Sequence, residues 1–167
     1  NNFIRNLALK LNTNTLILFQ LVEKHGKILY ELIEEKANGR KVFFVFGGTD
    51  TEDRERIRGI VEKEKDAIIV ASYGTFSTGI NITNLHNVIF ASPSKSRVRN
   101  LQSIGRGLRK NETKEIATLY DIADDLSYKS YKNFTLLHFI ERIKIYNEEQ
   151  FDYKIITVPL PGNDEKE

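Results

Sequence analysis

The sequence predicts an α/β fold: a parallel sheet with helices on both faces, plus a C-terminal helical extension. Three observations predict it. Short apolar runs of strand length recur along most of the chain, and they are apolar throughout rather than alternating, as strands buried on both faces are. Between them lie segments with helical spacing, and strands that alternate with helices pair in parallel. Finally, 167 residues with 40% hydrophobic and 29% charged side chains suit one soluble domain with a real core and a small appendage.

The elements follow in order. Asn1 to Asn14 reads as a partly helical lead-in. TLILFQ, Thr15 to Gln20, is a first buried strand. GKILYELIEEK, Gly26 to Lys36, spaces Ile28, Leu29, Leu32 and Ile33 as one helix face, and Asn38-Gly39 ends it with turn chemistry. KVFFVFGG, Lys41 to Gly48, is a second strand ending in two glycines. Residues 49–65 form a charged helix, with Thr49 or Thr51 as cap and acids in the first turn. Ala67 to Ser72 is a third strand, followed by a polar, glycine-bearing loop to Asn84. His86 to Ser92 is a fourth strand, residues 96–110 a helix, and Ala117 to Ala123 a fifth strand. Beyond Asp125, residues 130–150 read as one long helix with Leu136, Phe139, Ile140, Ile143 and Tyr146 on one face. FDYKIITVPL then reads as a candidate edge strand stopped by Pro159 and Pro161. The expected division is a lead-in at 1–14, a central lobe at 15–126, a C-terminal helix with edge strand at 127–160, and a disordered tail at 161–167.

Composition excludes several functions. With no cysteine, disulfides, thiolate catalysis and cysteine metal sites are absent, and the expected setting is cytoplasmic. His25, His86 and His138 fit no metal-ligand pattern. No apolar run reaches the roughly 18 residues of a membrane span, and the amino terminus is too short and polar for a signal peptide. Methionine is missing even at position 1, so the chain reads as a fragment or a processed product. No GxxxxGK[ST] phosphate loop occurs, so the chain is expected neither to bind Mg-ATP tightly nor to hydrolyse it alone. Asp124-Asp125 follow a strand, where adjacent acids ordinarily cap a loop.

Function is expected at the carboxyl ends of the strands, where parallel sheets bind ligands. Gly47-Gly48, the 74–79 segment and the start of the 96–110 helix all fall there. Residues 91–111 carry six basic side chains and no acidic one, a candidate phosphate surface. Within this block, Gln102, Arg106 and Arg109 form a QxxGRxxR pattern and share one helix face. Two arginines on a rigid face at a sheet edge suit a nucleotide γ-phosphate, because the guanidinium fork pairs phosphate oxygens bidentately. The competing reading is a solvent-facing basic helix.

QSIGRGLR, residues 102–109, resembles motif VI of superfamily 2 helicases. The loop from Ala71 to Ile82 resembles motif V, and LILFQ resembles motif IV on the first strand of the second RecA-like lobe. The three stand in the family's order across residues 15–126. The resemblance implies that Arg109 is the arginine finger and Arg106 its companion phosphate contact, with Gln102 tied to the nucleotide site and the lobe interface. It places Gly79 and Asn81 against the ribose, although many relatives carry Asp where this chain has Asn81. Ser72 and Thr75 fall near positions that touch a nucleic-acid phosphate, with loop capping as the plain alternative. Gly47, Gly48 and Thr49 could cradle a strand phosphate or form an ordinary turn. Lys95, Arg97 and Arg99 face nucleic acid or solvent.

The 44–57 and 71–82 stretches look more like DNA repair, replication and recombination translocases than RNA-remodelling proteins. That likeness implies ATP-dependent unwinding of branched or forked DNA, in the host cytoplasm if the gene is carried by a phage. It also implies an upstream RecA-like lobe holding most of the ATP and Mg2+ contacts, and no membrane partner. Two other readings compete: a non-catalytic nucleic-acid-binding module derived from such a lobe, and a protein-interaction scaffold working through residues 128–150. The paired arginines favour the motor, since a pure binding module has no need of an arginine finger.

Overall fold

The computed structural model describes residues 1–77, 84–92, 117–127 and 131–159. Five strands, all parallel, form one sheet: β1 (Thr15–Phe19), β2 (Val42–Val45), β3 (Ile68–Ser72), β4 (Asn87–Phe90) and β5 (Thr118–Asp121), in the order β2-β3-β1-β4-β5. β1 is central, with Thr15 opposite Ile68 on one side and Asn87 on the other. This is the parallel sheet that the apolar runs predict.

Side-chain alternation divides the core into two layers. Ile17, Phe19, Ile68, Val70 and Ile89 point to one face, under α1 (Asn2–Lys10) and α2 (Lys27–Glu34). Leu16, Leu18, Ile69, Ala71, Val88 and Phe90 point to the other, under α3 (Thr51–Val61) and α5 (Phe134–Glu148). Chain direction explains the division. The β1–β2 connection runs outward across β3 and the β2–β3 connection runs back, so right-handed crossovers put α2 and α3 on opposite faces. A short helix, α4 (Tyr73–Ser77), follows β3 directly, within the stretch expected to be a loop.

The lead-in is a helix seated on the sheet. Ile4 and Ala8 are buried in the same layer as Leu29 and Ile33 of α2. Arg40 closes its carboxyl end, donating from Nη1 to the Ala8 and Leu9 carbonyls at 3.3 and 3.2 Å and from Nε to the Asp66 carbonyl at 2.8 Å.

A π-turn over Val22–Gly26 precedes α2, with the Gly26 amide reaching back to the Leu21 carbonyl at 2.9 Å. The bulge brings Gly26 onto the buried Phe19 ring, and a Cβ there would stand 2.4 Å from its Cε2. Phe19 is itself stacked on Phe44 at 5.5 Å and has no room to yield. Gly26→Ala is therefore expected to lower stability by roughly 1–3 kcal/mol through overpacking, read as a lower urea midpoint at unchanged m-value.

Three local expectations are corrected. The cap of α3 is Asp50, not Thr49 or Thr51: its carboxylate accepts the Asp53 amide at 2.8 Å. Thr49 instead uses its hydroxyl on Phe46, as described below. The C-terminal helix starts at Phe134 rather than at 130. Asn133 caps the turn before it, its Nδ2 donating to the Asp124 carbonyl at 2.8 Å. Residues 151–159 form no strand. Phe151 and Tyr153 lean on Tyr146, Tyr153 donates to Asn147, and Ile155 and Ile156 are exposed.

The face of α5 also differs. Tyr146 is buried and Ile143 packs on the core, but Leu136, Phe139 and Ile140 are only half-buried. The most buried side chain of the helix is Arg142, 1% exposed. It makes a bidentate pair with Asp121 at the end of β5, Nε to Oδ2 at 2.6 Å and Nη2 to Oδ1 at 2.8 Å. The Tyr146 hydroxyl donates to the same Oδ2 at 2.6 Å. Burial, then the Asp121 charge, raises the Tyr146 phenol above its ordinary range, so it remains a donor across neutral pH. Among the described residues no helix is long and apolar enough to cross a membrane.

Candidate functional site

The carboxyl ends of β1 to β4 bring together the turn after β2, the start of α4, and Ser92 beyond β4. The turn after β2 is built by its own side chains. The Phe46 amide donates to Thr49 Oγ1 at 3.1 Å, and the Thr49 amide returns to the Phe46 carbonyl at 2.9 Å. Arg54, on the first turns of α3, donates from Nη2 to the Gly47 carbonyl at 3.2 Å. That carbonyl is held toward the helix, and the exposed amides of Gly47 and Gly48 donate to no described protein group.

Each glycine has a different reason to be there. A Cβ on Gly48 would meet the Phe46 ring at 2.6 Å, whereas one on Gly47 would meet nothing within 4 Å. Gly48 is required by packing, while Gly47 leaves the outer side of the turn open. Thr49 spends its acceptor on Phe46, and its hydroxyl proton is its contribution to any ligand. Asp50, Glu52 and Asp53 already answer the α3 dipole. A phosphate oxygen would therefore be met by the glycine amides, not by the helix terminus.

Ser72 and Thr75 come together as the sequence suggests, but inward. Both are buried, their hydroxyls 2.7 Å apart, and the Thr75 amide approaches Ser72 Oγ at 3.4 Å. This geometry caps α4 and fixes where the chain leaves β3. Tyr73 packs on Phe90 beside it, ring centres 5.7 Å apart.

One contact had no sequence signal. The π-turn presents His25 to Ser92, with Nδ1 2.5 Å from Ser92 Oγ and Nε2 2.9 Å from Asn1 Oδ1. Burial holds His25 below its ordinary range, while Asp124 pulls the other way. The ring thus ties the end of β1 to the residue from which the basic block departs. Asp125 caps the loop with its carboxylate, while Asp124 contributes its backbone carbonyl. The Asp124 carbonyl accepts Asn133 and Thr135, and the Asp125 carboxylate accepts the Ser127 amide at 3.0 Å.

Gly79, Asn81, Lys95, Arg97, Arg99, Gln102, Arg106 and Arg109 lie outside the described residues. Among the described residues no group of three or more His, Asp or Glu is placed to hold a metal ion.

Comparison with known proteins places these features. The family model for the helicase conserved C-terminal domain matches residues 1–111. The chain is 41% identical over 96% of its length to the ATP-dependent DNA helicase uvsW of Enterobacteria phage T4, of which it spans 34%. It is 28% identical over 63% of its length to IRC3 of Saccharomyces cerevisiae, inferred to be an ATP-dependent helicase, of which it spans 15%. Its fold is similar to that of the second DEAD-box helicase domain of Mss116p, solved bound to an RNA duplex, at a TM-score of 0.56 and 18% identity, covering 74% of this chain and 46% of that one. The C-terminal part of the Fun30 ATPase domain matches at a TM-score of 0.57 and 20% identity, covering 88% and 53%.

Proposed function

The chain belongs to the helicase conserved C-terminal domain family, as a second RecA-like lobe of superfamily 2, and from that premise we propose that it is one half of an ATP-driven motor for branched DNA. The reactions that fit are branch migration and fork regression in recombination, replication and repair. The 41% identity to a phage DNA helicase across nearly the whole chain carries this reading.

The lobe's own residues divide the work. Gly47 and Gly48 offer two exposed amides to a strand phosphate, with Thr49 adding its hydroxyl proton. Arg97 and Arg99 follow in the basic block and extend the contact along the backbone. Ser72 and Thr75 set the direction of the chain toward Gly79 and Asn81, which meet the ribose. Gln102, Arg106 and Arg109 meet the triphosphate when the lobes close. The described residues do not fit Mg2+ by themselves, since they offer no carboxylate cluster. ATP and its metal are held mainly by an upstream lobe. A non-catalytic binding module remains the alternative.

The isolated chain is expected to show negligible ATPase activity with or without DNA. It should bind DNA weakly and without sequence preference, and binding should fall steeply between about 50 and 200 mM salt as phosphate contacts release counterions. Fluorescence titration of a four-way junction and a linear duplex over that range is the test. A junction preference supports the branched-DNA reading. Salt-independent binding, or strong preference for one base sequence, would sink it.

A further inference from the structure

The turn that leads from α2 into β2 holds the chain's only asparagine followed by glycine, Asn38-Gly39. Both residues are exposed, and both lie in the left-handed region, with φ of 49° and 87°. The pair fits a type I′ turn, closed by one bond from the Arg40 amide to the Ala37 carbonyl at 3.0 Å. Among the described residues, neither the Asn38 side-chain amide nor the Gly39 N–H makes a hydrogen bond. Nothing lies within 4 Å of the place a Gly39 Cβ would take, so the space beside the Gly39 nitrogen is open.

The two ends of this turn are fastened, and only its tip is free. Ala37 is buried. Arg40 is held by the Asp66 carbonyl and by the Ala8 and Leu9 carbonyls at the end of α1. A free side-chain amide beside an unhindered main-chain nitrogen is a reactive pair, and a turn held by a single bond opens often enough to let the two meet.

We propose that Asn38 is a site of spontaneous covalent modification to isoaspartate, and that this product unfastens Arg40 from α1. The proposal does not depend on the motor reading. The chemistry needs only water and base. The Gly39 nitrogen gives up its proton and attacks Cγ of the Asn38 side chain. A C–N bond forms, the side-chain nitrogen leaves as ammonia, and a five-membered succinimide results. Water then opens the ring at either carbonyl. Breaking the bond from nitrogen to Cγ gives an ordinary aspartate. Breaking the bond from nitrogen to the main-chain carbonyl carbon gives isoaspartate, whose main chain runs through Cβ and Cγ. Nothing is oxidised or reduced, and each product adds one negative charge.

Isoaspartate lengthens the tip by one main-chain carbon between two fixed points. Ala37 is held by core packing, whereas Arg40 is held by hydrogen bonds, so Arg40 gives way. Ordinary aspartate keeps the main-chain length and tolerates the left-handed region as asparagine does, so it leaves the fastening intact.

Incubating the 167-residue chain in mildly alkaline buffer tests the site by peptide mass spectrometry. The peptide bearing Asn38 should gain about one mass unit, on the order of tenfold faster than the peptide bearing the exposed Asn12, which Thr13 follows. The aged protein should accept methyl groups from S-adenosylmethionine through an isoaspartyl methyltransferase, which ignores ordinary aspartate. Asn38→Gln should abolish that labelling, because its ring would need six members. Equal mass gain at Asn12, no gain at Asn38, or labelling that persists in Asn38→Gln overturns the site. The parent's own mass gain decides whether or not the glutamine variant folds. Ion exchange separates the aged forms by charge. The isoaspartate form should melt at least about 2 °C below the parent, as expected when the Arg40 bonds are released. Asn38→Asp carries the charge without the extra carbon and should melt with the parent. An isoaspartate form that melts with the parent, or an equal fall in Asn38→Asp, overturns the unfastening.

Discussion

Arg109→Ala in the full-length motor is expected to cut DNA-stimulated ATPase and unwinding by at least about a hundredfold, a floor set below the roughly 10³–10⁵ that arginine fingers contribute in other phosphoryl-transfer systems. The expectation rests on the spacing of Gln102, Arg106 and Arg109 along one helix face and on the family to which the chain belongs. Charge grows on the γ-phosphoryl group as the bond to the leaving oxygen breaks. A guanidinium that meets this charge mainly in the transition state lowers turnover when lost and leaves ground-state affinity largely intact. DNA affinity in the absence of nucleotide should hardly change. Lysine should rescue poorly, since it keeps the charge but not the planar fork. Steady-state ATPase titrated with DNA decides the matter. Near-normal turnover at saturation would reduce Arg109 to surface charge and favour the binding-module reading.

Asp121→Ala is expected to cost about 3–5 kcal/mol, because it strands the buried Arg142 guanidinium without its carboxylate. Arg142 Nη1 is already a buried donor without a partner, so no spare acceptor stands ready. Tyr146 loses the acceptor of its hydroxyl in the same step. The melting temperature should fall by roughly 6–20 °C, at about 2–4 °C per kcal/mol for a chain of this size. Replacing both partners with apolar residues, Asp121→Leu with Arg142→Met, should recover most of the loss, since an apolar pair carries no desolvation penalty. Urea unfolding of the parent, both single variants and the double variant gives the coupling. A single-variant cost below about 1 kcal/mol would show that water reaches the pair and that it does not hold α5 in place.

These cases mark where the sequence was readable. The strands were legible because a residue such as Ile17 or Ile69 must be apolar on either face of a buried parallel sheet. Strand order was not, because nothing in TLILF says that its neighbours are IIVAS and NVIF. Arg142 sits among apolar residues and reads as a helix surface until Asp121, on a distant strand, is placed opposite it. Asn14 and Asn84 read as loop residues because their partners are carbonyls, which every residue possesses. The same holds for His25, whose contact with Ser92 depends on an extra residue in one turn. Thr49 was misassigned because Asp50, one position later, is the better helix cap. The edge strand expected at 151–160 failed because alternating apolar residues promise a strand only where a free sheet edge lies beside them. The arginine pattern, by contrast, was read from sequence alone and lies outside the described residues.

The central position of β1 has a consequence for how the molecule is made. Among the described residues every strand pair is parallel, so none of these strands zips to its chain neighbour as a hairpin. Thr15 leaves the ribosome before either of its two partners, Ile68 and Asn87. Until those residues are synthesised, five consecutive side chains that end fully buried have no sheet to enter. Topologies of this kind close long loops before they gain contacts and fold slowly. The nascent chain should therefore depend on chaperone cover between the appearance of β1 and that of β4, and a pause in translation within this window should favour aggregation.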